Sequence, residues 1–380
     1  LVYATFSVLN EALRIKKAQT GNPKYEIPKT PSGESIAVYP EDLVHLRHRG
    51  GLSGHAEMEG KTLFLKWNTG PSGHGLPATV GEALALKRAG ADGVKVVALE
   101  GEGGLTPGAS HESKNSAWGL GLDNLYYLID WNDFGIDDRP ASSVISGTPE
   151  TWFTPYGWNV YGTQEGSAWE PLTREMLSLF CDEDRSSAPS VLWFKTRKGR
   201  EYLKYDNKSH GAAHPMNSEL FWKTKGVFAE QYGVTFEGFG EDAPGDEEAV
   251  RKQCRANLDV VTGVLKDDQE LVDDIADYLV DLGDAVPEEL PSFKLHTEKN
   301  PLDDPALYDF RSYPEQMYAP PGAKEANRGG LAKFGAWINA YCRKHYRRPL
   351  VIACSADLAE STNISGFAKE WEDTPGYGWY

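Results

Sequence analysis

Glu102 and Asn132 stand thirty positions apart, and each closes an apolar run. Gly93-Val94-Lys95-Val96-Val97-Ala98-Leu99 leads into Gly101-Glu102-Gly103, and Asn124-Leu125-Tyr126-Tyr127-Leu128-Ile129-Asp130 leads to Asn132. A carboxylate and a side-chain amide are hard oxygen donors, which Mg²⁺ takes in octahedral geometry and commonly shares with substrate phosphates. The pair therefore predicts a divalent cation holding a diphosphate. Gly101, Gly103 and Gly104 leave no Cβ in the way of a close backbone approach to that phosphate.

Such donors work only if two neighbouring strands deliver them. Both apolar runs are short, rich in β-forming residues and stopped by turn residues, with a helix-length segment between them, so the order reads strand, loop, helix, strand. In an open parallel sheet the ligand crevice lies beyond the carboxyl ends of the strands, where Glu102 and Asn132 would fall. An ordinary βαβ unit with a glycine turn and a surface Asn has the same local pattern, because a lone glycine-rich loop is weak evidence. Further strands are predicted over 61–65 and 190–196, so that residues 1–245 read as one α/β domain. Glu241-Asp242-Ala243-Pro244-Gly245-Asp246 is a turn-rich acidic break, and 247–282 carries helical apolar spacing. Seven prolines from Pro287 to Pro321 mark an irregular connector, which closes a 246–324 segment. A second α/β unit over 325–380 opens with a helix at 331–345 and a buried strand at 350–353.

Five collinear segments resemble the transketolase family, which depends on thiamine diphosphate. Gly101-Glu102-Gly103 through Asn132 resembles the family's Gly-Asp-Gly motif with Asn about thirty residues later. Leu52-Ser53-Gly54-His55-Ala56-Glu57 looks like its Pro-Gly-His-Pro-Glu segment, and Thr69-Gly70-Pro71-Ser72-Gly73-His74-Gly75 like its Thr-Gly-Pro-Leu-Gly-Gln-Gly loop. Lys195-Thr196-Arg197-Lys198-Gly199 followed by His210-Gly211 keeps the family's order. Ala326-Asn327-Arg328 and Ser355-Ala356-Asp357-Leu358-Ala359-Glu360-Ser361 are similar to segments that open its second domain. The resemblance covers most of 43–215 and then 325–365. It also implies a fragment lacking both ends, whose family's catalytic glutamate and later substrate histidines lie outside the sequence, either one piece of a longer protein or part of a split one.

The resemblance implies a diphosphate-binding α/β domain over 1–245 and the start of a pyrimidine-binding one over 325–380. Glu102, Asn132 and the backbone carbonyl of Phe134 would coordinate Mg²⁺, with Ca²⁺ or Mn²⁺ possible in its place, while Gly70, Ser72, Gly101 and Gly103 line the diphosphate. His55 and His210 would face cofactor and substrate, and an imidazole there can donate to phosphate or to a developing alkoxide. Asp357 would lie near the thiazolium end of the cofactor. Arg328 and Ser361 would hold a sugar phosphate, Arg through its planar fork of donors. Glu112 matches one acidic member of a network that joins two active sites, so a homodimer is implied. The implied activity is transfer of a two-carbon ketol unit from a ketose phosphate to an aldose phosphate, as in the pentose phosphate pathway. An E1-type 2-oxoacid dehydrogenase shares the cofactor motif, and a non-catalytic scaffold or regulatory partner shares the fold. This chain departs from the family pattern at Glu102 for Asp, Pro107 for Glu, Ser72 for Leu, His74 for Gln and Ala56 for Pro. Tyr161 to Gly166 also lacks the family's Val-Asp-Gly-His.

Composition bounds the rest. A chain of 380 residues with 40% hydrophobic residues and 11 tryptophans can bury sizeable cores. The formal net charge of -17 disfavours nucleic acid, whose phosphates demand a basic surface. A glycine loop, a helix N-terminus and a cation can still hold an anionic cofactor against that distant field. No apolar stretch reaches the roughly 20 residues of a membrane helix. Cys181, Cys254, Cys342 and Cys354 are scattered without a CxxC pair, which predicts a reducing, cytoplasmic setting. Cys354, inside the predicted 350–353 strand region, reads as a small core residue.

Overall fold

The computed structural model describes residues 2–56, 61, 67, 70–91, 93–134, 140–207, 213–283, 300–356 and 358–371. In chain order the helices are α1 (Val2–Thr20), α2 (Gly75–Arg88), α3 (Gly108–Gly119), α4 (Pro149–Phe153), α5 (Trp169–Cys181), α6 (Glu219–Tyr232), α7 (Glu247–Asp267), α8 (Gln269–Asp281), α9 (Asn327–Tyr346) and α10 (Ala359–Thr362). The strands are β1 (Val96–Gly101), β2 (Leu125–Trp131), β3 (Asn159–Thr163) and β4 (Ser190–Lys195). Internal contacts divide the chain into two units, Leu1–Gly70 with Gly199–Phe293 and Pro71–Lys198 with Lys294–Tyr380.

The second unit holds the sheet. All described pairings between its strands are parallel, in the order β1-β2-β4-β3. Period-two alternation assigns its side chains to two layers. Leu125, Tyr127, Ile129 and Trp131 of β2 and Val191 and Trp193 of β4 join a core with Leu76, Val80, Ala83 and Leu86 of α2. The intervening β2 residues Tyr126 and Leu128, with Leu192 and Phe194, pack instead against Leu179 and Phe180 of α5. Helices on both faces of a parallel sheet bear out the α/β expectation and explain why β2 and β4 read as near-continuous apolar runs.

In this unit two details differ from what the sequence predicts. β3 escapes the apolar pattern, because Gly162 interrupts it; a Cβ there would come within 2.0 Å of the Trp193 indole. The apolar run at 350–353 is not a strand. Among the described residues no neighbouring strand offers it a ladder, and the buried Asn339 amide takes its backbone instead. Asn339 Oδ1 accepts from the N–H groups of Leu350 (2.9 Å) and Val351 (3.0 Å), and Nδ2 donates to Val351 O at 2.8 Å. With no sheet to cover it, Cys354 is exposed rather than a core residue. The proline-rich connector is irregular as expected where described, a series of short 3₁₀ turns such as Pro301–Asp303 and Phe310–Ser312.

In the first unit α1 packs on α8 through a core of Leu13, Tyr25, Ile27, Ala37, Ala276 and Leu279. The helical pattern of 247–282 is two helices rather than one. Asp268 ends α7 and caps α8, its Oδ1 accepting from Leu271 N at 3.0 Å. The predicted strand at 61–65 lies outside the described residues except for Lys61. No helix among the described residues is long and apolar enough to cross a membrane.

Candidate cofactor site at the carboxyl edge of the sheet

Parallel pairing of β1 with β2 sets Gly101 opposite Asp130, so both chains leave the sheet at one edge. Glu102 follows in a 3₁₀ turn, 1% exposed. Its Oε2 accepts the N–H of Asn132 at 3.0 Å. Burial raises the pKa of this carboxylate, and the neighbouring backbone N–H groups of Glu102, Asn132 and Asp133 act in the opposite sense. Asn132 is likewise engaged: its Oδ1 accepts from Phe134 N at 3.0 Å and its Nδ2 donates to Asp130 Oδ2 at 3.2 Å. Asp130 also receives the hydroxyl of Thr196. The structure thus brings Gly101, Glu102, Gly103, Asn132 and Phe134 together at the carboxyl edge of the sheet.

Two residues to which sequence spacing assigns no role complete this cluster. β4 pairs with β2 so that Lys195 faces Trp131, and Thr196 N donates to Trp131 O at 3.2 Å. That register carries Thr196 and Lys198 over the end of β2. Lys198 Nζ donates to Phe134 O at 3.1 Å. Burial lowers the Lys198 pKa, and the negative charges of Glu102 and Asp130 act in the opposite sense. The signal for both residues lies in the parallel order of the strands, which spacing along one segment cannot show.

These partners bear on a metal. The three oxygen donors expected to converge on a divalent cation each have an internal partner: Asn132 N for Glu102 Oε2, Phe134 N for Asn132 Oδ1, and an ammonium for Phe134 O. Mg²⁺ needs near-ideal octahedral geometry and dehydrates reluctantly, so this arrangement does not fit it. Glu102 carries one methylene more than the Asp of the resembled motif, and its carboxylate reaches the backbone after β2.

An anionic diphosphate fits better. α2 begins at Gly75 with no side-chain cap, leaving its first N–H groups for an anion. Gly103 faces open space, with no atom within 4 Å of a Cβ built on it. Gly73 (φ +77°) brings the loop before α2 against the loop after β1: a Cβ on it would lie 2.7 Å from Pro107 Cγ and 3.0 Å from Gly104 O. Gly73→Ala is therefore expected to cost about 2 kcal/mol, from left-handed backbone and overpacking, measured as a lower denaturant midpoint.

The other candidates are placed as follows. Ser72 is exposed in the turn before α2, and Glu112 is exposed on α3. Arg328 is exposed in the first turn of α9, and Ser361 Oγ donates to Leu358 O at 2.8 Å within α10. His55 and Gly70 belong to the first unit, where both are exposed and the His55 carbonyl accepts from Tyr3 OH at 2.8 Å. His210 and Asp357 lie outside the described residues.

Known proteins resemble this chain over the segment that contains the site. The family model described as transketolase, thiamine diphosphate binding domain, matches residues 38–231. A transketolase from Halalkalibacterium halodurans is 28% identical over 223 residues, 56% of this chain and 32% of the relative. An apulose-4-phosphate transketolase subunit from Phocaeicola vulgatus is 31% identical over 149 residues, 39% of this chain and 50% of that protein. The chain thus spans about a third of the first relative's length and half of the second's. A transketolase structure from Campylobacter jejuni superposes with a TM-score of 0.55 at 20% identity, over 96% of this chain and 58% of that one, and supports the fold. The family match encloses β1, β2, β3 and β4 and every residue of the strand-end cluster from Gly101 to Lys198, and by that match this chain belongs to the transketolase family through its thiamine diphosphate binding domain.

Proposed function

We propose that this protein takes part in thiamine-diphosphate-dependent transfer of a two-carbon ketol unit from a ketose phosphate to an aldose phosphate. The observation that carries the reading is the joined pair of strand-end loops, Gly101–Gly104 and Asn132–Phe134, beside the uncapped N-terminus of α2. Thiamine diphosphate, when bound, supplies the carbon nucleophile and electron sink for breaking and making the carbon–carbon bond. The chain's own residues hold and orient it: first-turn N–H groups of α2 bind the diphosphate, and Gly103 admits it closely. His55 and His210 orient substrate hydroxyls, Asp357 stands near the thiazolium, and Arg328 and Ser361 grip the sugar phosphate. Glu112 belongs to a contact between two copies in a cytoplasmic homodimer, or between this chain and the remainder of a split enzyme. That second arrangement draws on the likeness to a relative that is itself one part of a multi-chain transketolase.

A non-catalytic partner is the alternative, favoured by one observation: Pro107 caps α3 where a network carboxylate is expected and has neither charge nor hydrogen-bonding side chain.

Calorimetric titration of thiamine diphosphate into the full-length protein separates the two readings. Gly103→Val is the informative variant, because a Cβ built there has no atom within 4 Å and would stand in the cofactor's approach. The wild type is expected to bind, and Gly103→Val to keep its unfolding midpoint while binding at least about tenfold more weakly. Absence of binding by the wild type at millimolar cofactor would overturn the enzyme reading in favour of the partner.

A further inference from the structure

The cluster beyond β2 contains a cation of its own. Lys198 Nζ lies 3.1 Å from the carbonyl oxygen of Phe134, the backbone oxygen expected to ligate a divalent metal. Glu102 and Asp130 are the negative charges acting on that ammonium. The position is set by the fold, since β4 runs parallel to β2 and Thr196 is tied at two points, its N–H to Trp131 O and its hydroxyl to Asp130. Two residues later the lysine has nowhere to emerge but over the Asn132–Phe134 loop.

A divalent ion sharing the Phe134 carbonyl would sit within a few ångströms of this ammonium, and like charges at such range in a partly buried site repel strongly. While the ammonium holds the centre the other two donors turn to the backbone, Glu102 Oε2 to Asn132 N and Asn132 Oδ1 to Phe134 N, and a divalent ion could recruit them only once the lysine is gone. An ammonium asks less than Mg²⁺: it needs acceptors within hydrogen-bond reach and no octahedron, and it is a standard phosphate-binding point charge.

We propose that Lys198 is the resident cation of this site, standing in for a divalent metal, so that the protein binds a diphosphate without metal. The proposal rests on the cofactor reading above for the identity of the anion, but the place of the lysine can be tested apart from it.

The first arm measures Mn²⁺ by electron paramagnetic resonance in the full-length protein without cofactor. Wild type and Asn132→Ala are expected to bind Mn²⁺ alike, through scattered surface carboxylates only. Lys198→Met should gain a site at least about tenfold tighter, abolished again in Lys198→Met/Asn132→Ala, while Lys198→Arg keeps the wild-type behaviour. Equal Mn²⁺ affinity in wild type and Lys198→Met, with circular dichroism showing both folded, would overturn the proposal. A misfolded Lys198→Met leaves the wild type against Asn132→Ala to decide, since a wild-type Mn²⁺ site lost in Asn132→Ala overturns it equally.

The second arm titrates thiamine diphosphate by calorimetry in EDTA and in millimolar Mg²⁺. Wild type should bind with similar affinity in both, and Lys198→Met should bind about tenfold more weakly in EDTA and recover with Mg²⁺. Metal-dependent binding by the wild type, unchanged in Lys198→Met, would overturn the proposal. If no form binds the diphosphate, the cofactor reading fails by itself, and the Mn²⁺ comparison still decides whether Lys198 holds the cation's place.

Discussion

Glu102→Ala is expected to lower the stability of the sheet-containing unit by about 4 kcal/mol, the cost of leaving buried donors without an acceptor and uncoupling two strand ends. The carboxylate crosses from the loop after β1 to the loop after β2, where its Oε2 accepts the Asn132 N–H, and the N–H groups of Glu102 and Asp133 also favour its charge. Alanine fills none of that space and leaves those N–H groups facing a region that solvent barely reaches, since Glu102 is 1% exposed. Glu102→Gln separates acceptor from charge. Its amide oxygen can keep one N–H, and it avoids the desolvation that raises the carboxyl pKa, so its cost should be about 1 kcal/mol. Glu102→Asp shortens the arm by one methylene and should lie between the two. Denaturant unfolding, followed by near-ultraviolet circular dichroism of the tryptophans, measures all three. Equal midpoints for wild type and Glu102→Ala would mean that the clamp contributes nothing to the fold and that the carboxylate is free for another task.

The order of these effects shows where the sequence is informative. β2 and β4 are legible because strands covered on both faces are apolar throughout, and β1 because its exposed residues Val97 and Leu99 are apolar as well and its run ends at Gly101. The Glu102–Asn132 pair is legible for the same reason, because parallel neighbours must release their chains at one edge. Its use is not. Spacing puts two oxygen-bearing side chains side by side, but whether they face a metal or their own backbone depends on a single methylene and on a lysine nearly 70 residues downstream. Lys198 enters only through the β2–β4 register, which joins segments 64 residues apart. The strand expected at 350–353 fails for a parallel cause. An apolar β-branched run specifies extended backbone, and extended backbone becomes a strand only if a partner is present; here the partner is the Asn339 side chain. The helical pattern of 247–282 contains its own break, since Asp268 three residues before Leu271 is an N-cap spacing that apolar periodicity overrides.

Lys114→Met is expected to stabilise the protein near neutral pH by about 3 kcal/mol, an unusual sign for a change at a fully buried position. Lys114 lies on the inner side of α3 with no exposed surface. Its ammonium has no hydrogen-bond partner among the described residues and faces the rings of Phe153 (5.0 Å), Tyr156 (5.2 Å) and Trp152 (6.0 Å). Aromatic faces attract a cation but replace only part of its hydration. Burial accordingly pushes the Lys114 pKa down to about 8 from its ordinary 10.5. The sign follows from linkage. Below pH 8 the amine is charged in both folded and unfolded chains, and the folded one bears the full penalty of a buried charge. Between pH 8 and 10.5 the unfolded chain still binds a proton that the folded chain has released, so wild-type stability rises with pH across that window and the penalty is gone above it. Methionine keeps the unbranched, apolar length of the side chain and cannot titrate. The stability difference between Lys114→Met and wild type should therefore be largest at pH 7 and shrink steadily between pH 8 and 10.5, a comparison that cancels every other alkaline titration. A constant difference across the same range would show that the gain, if any, comes from packing. A loss of stability at pH 7 would show that the aromatic rings hold the ammonium better than water does.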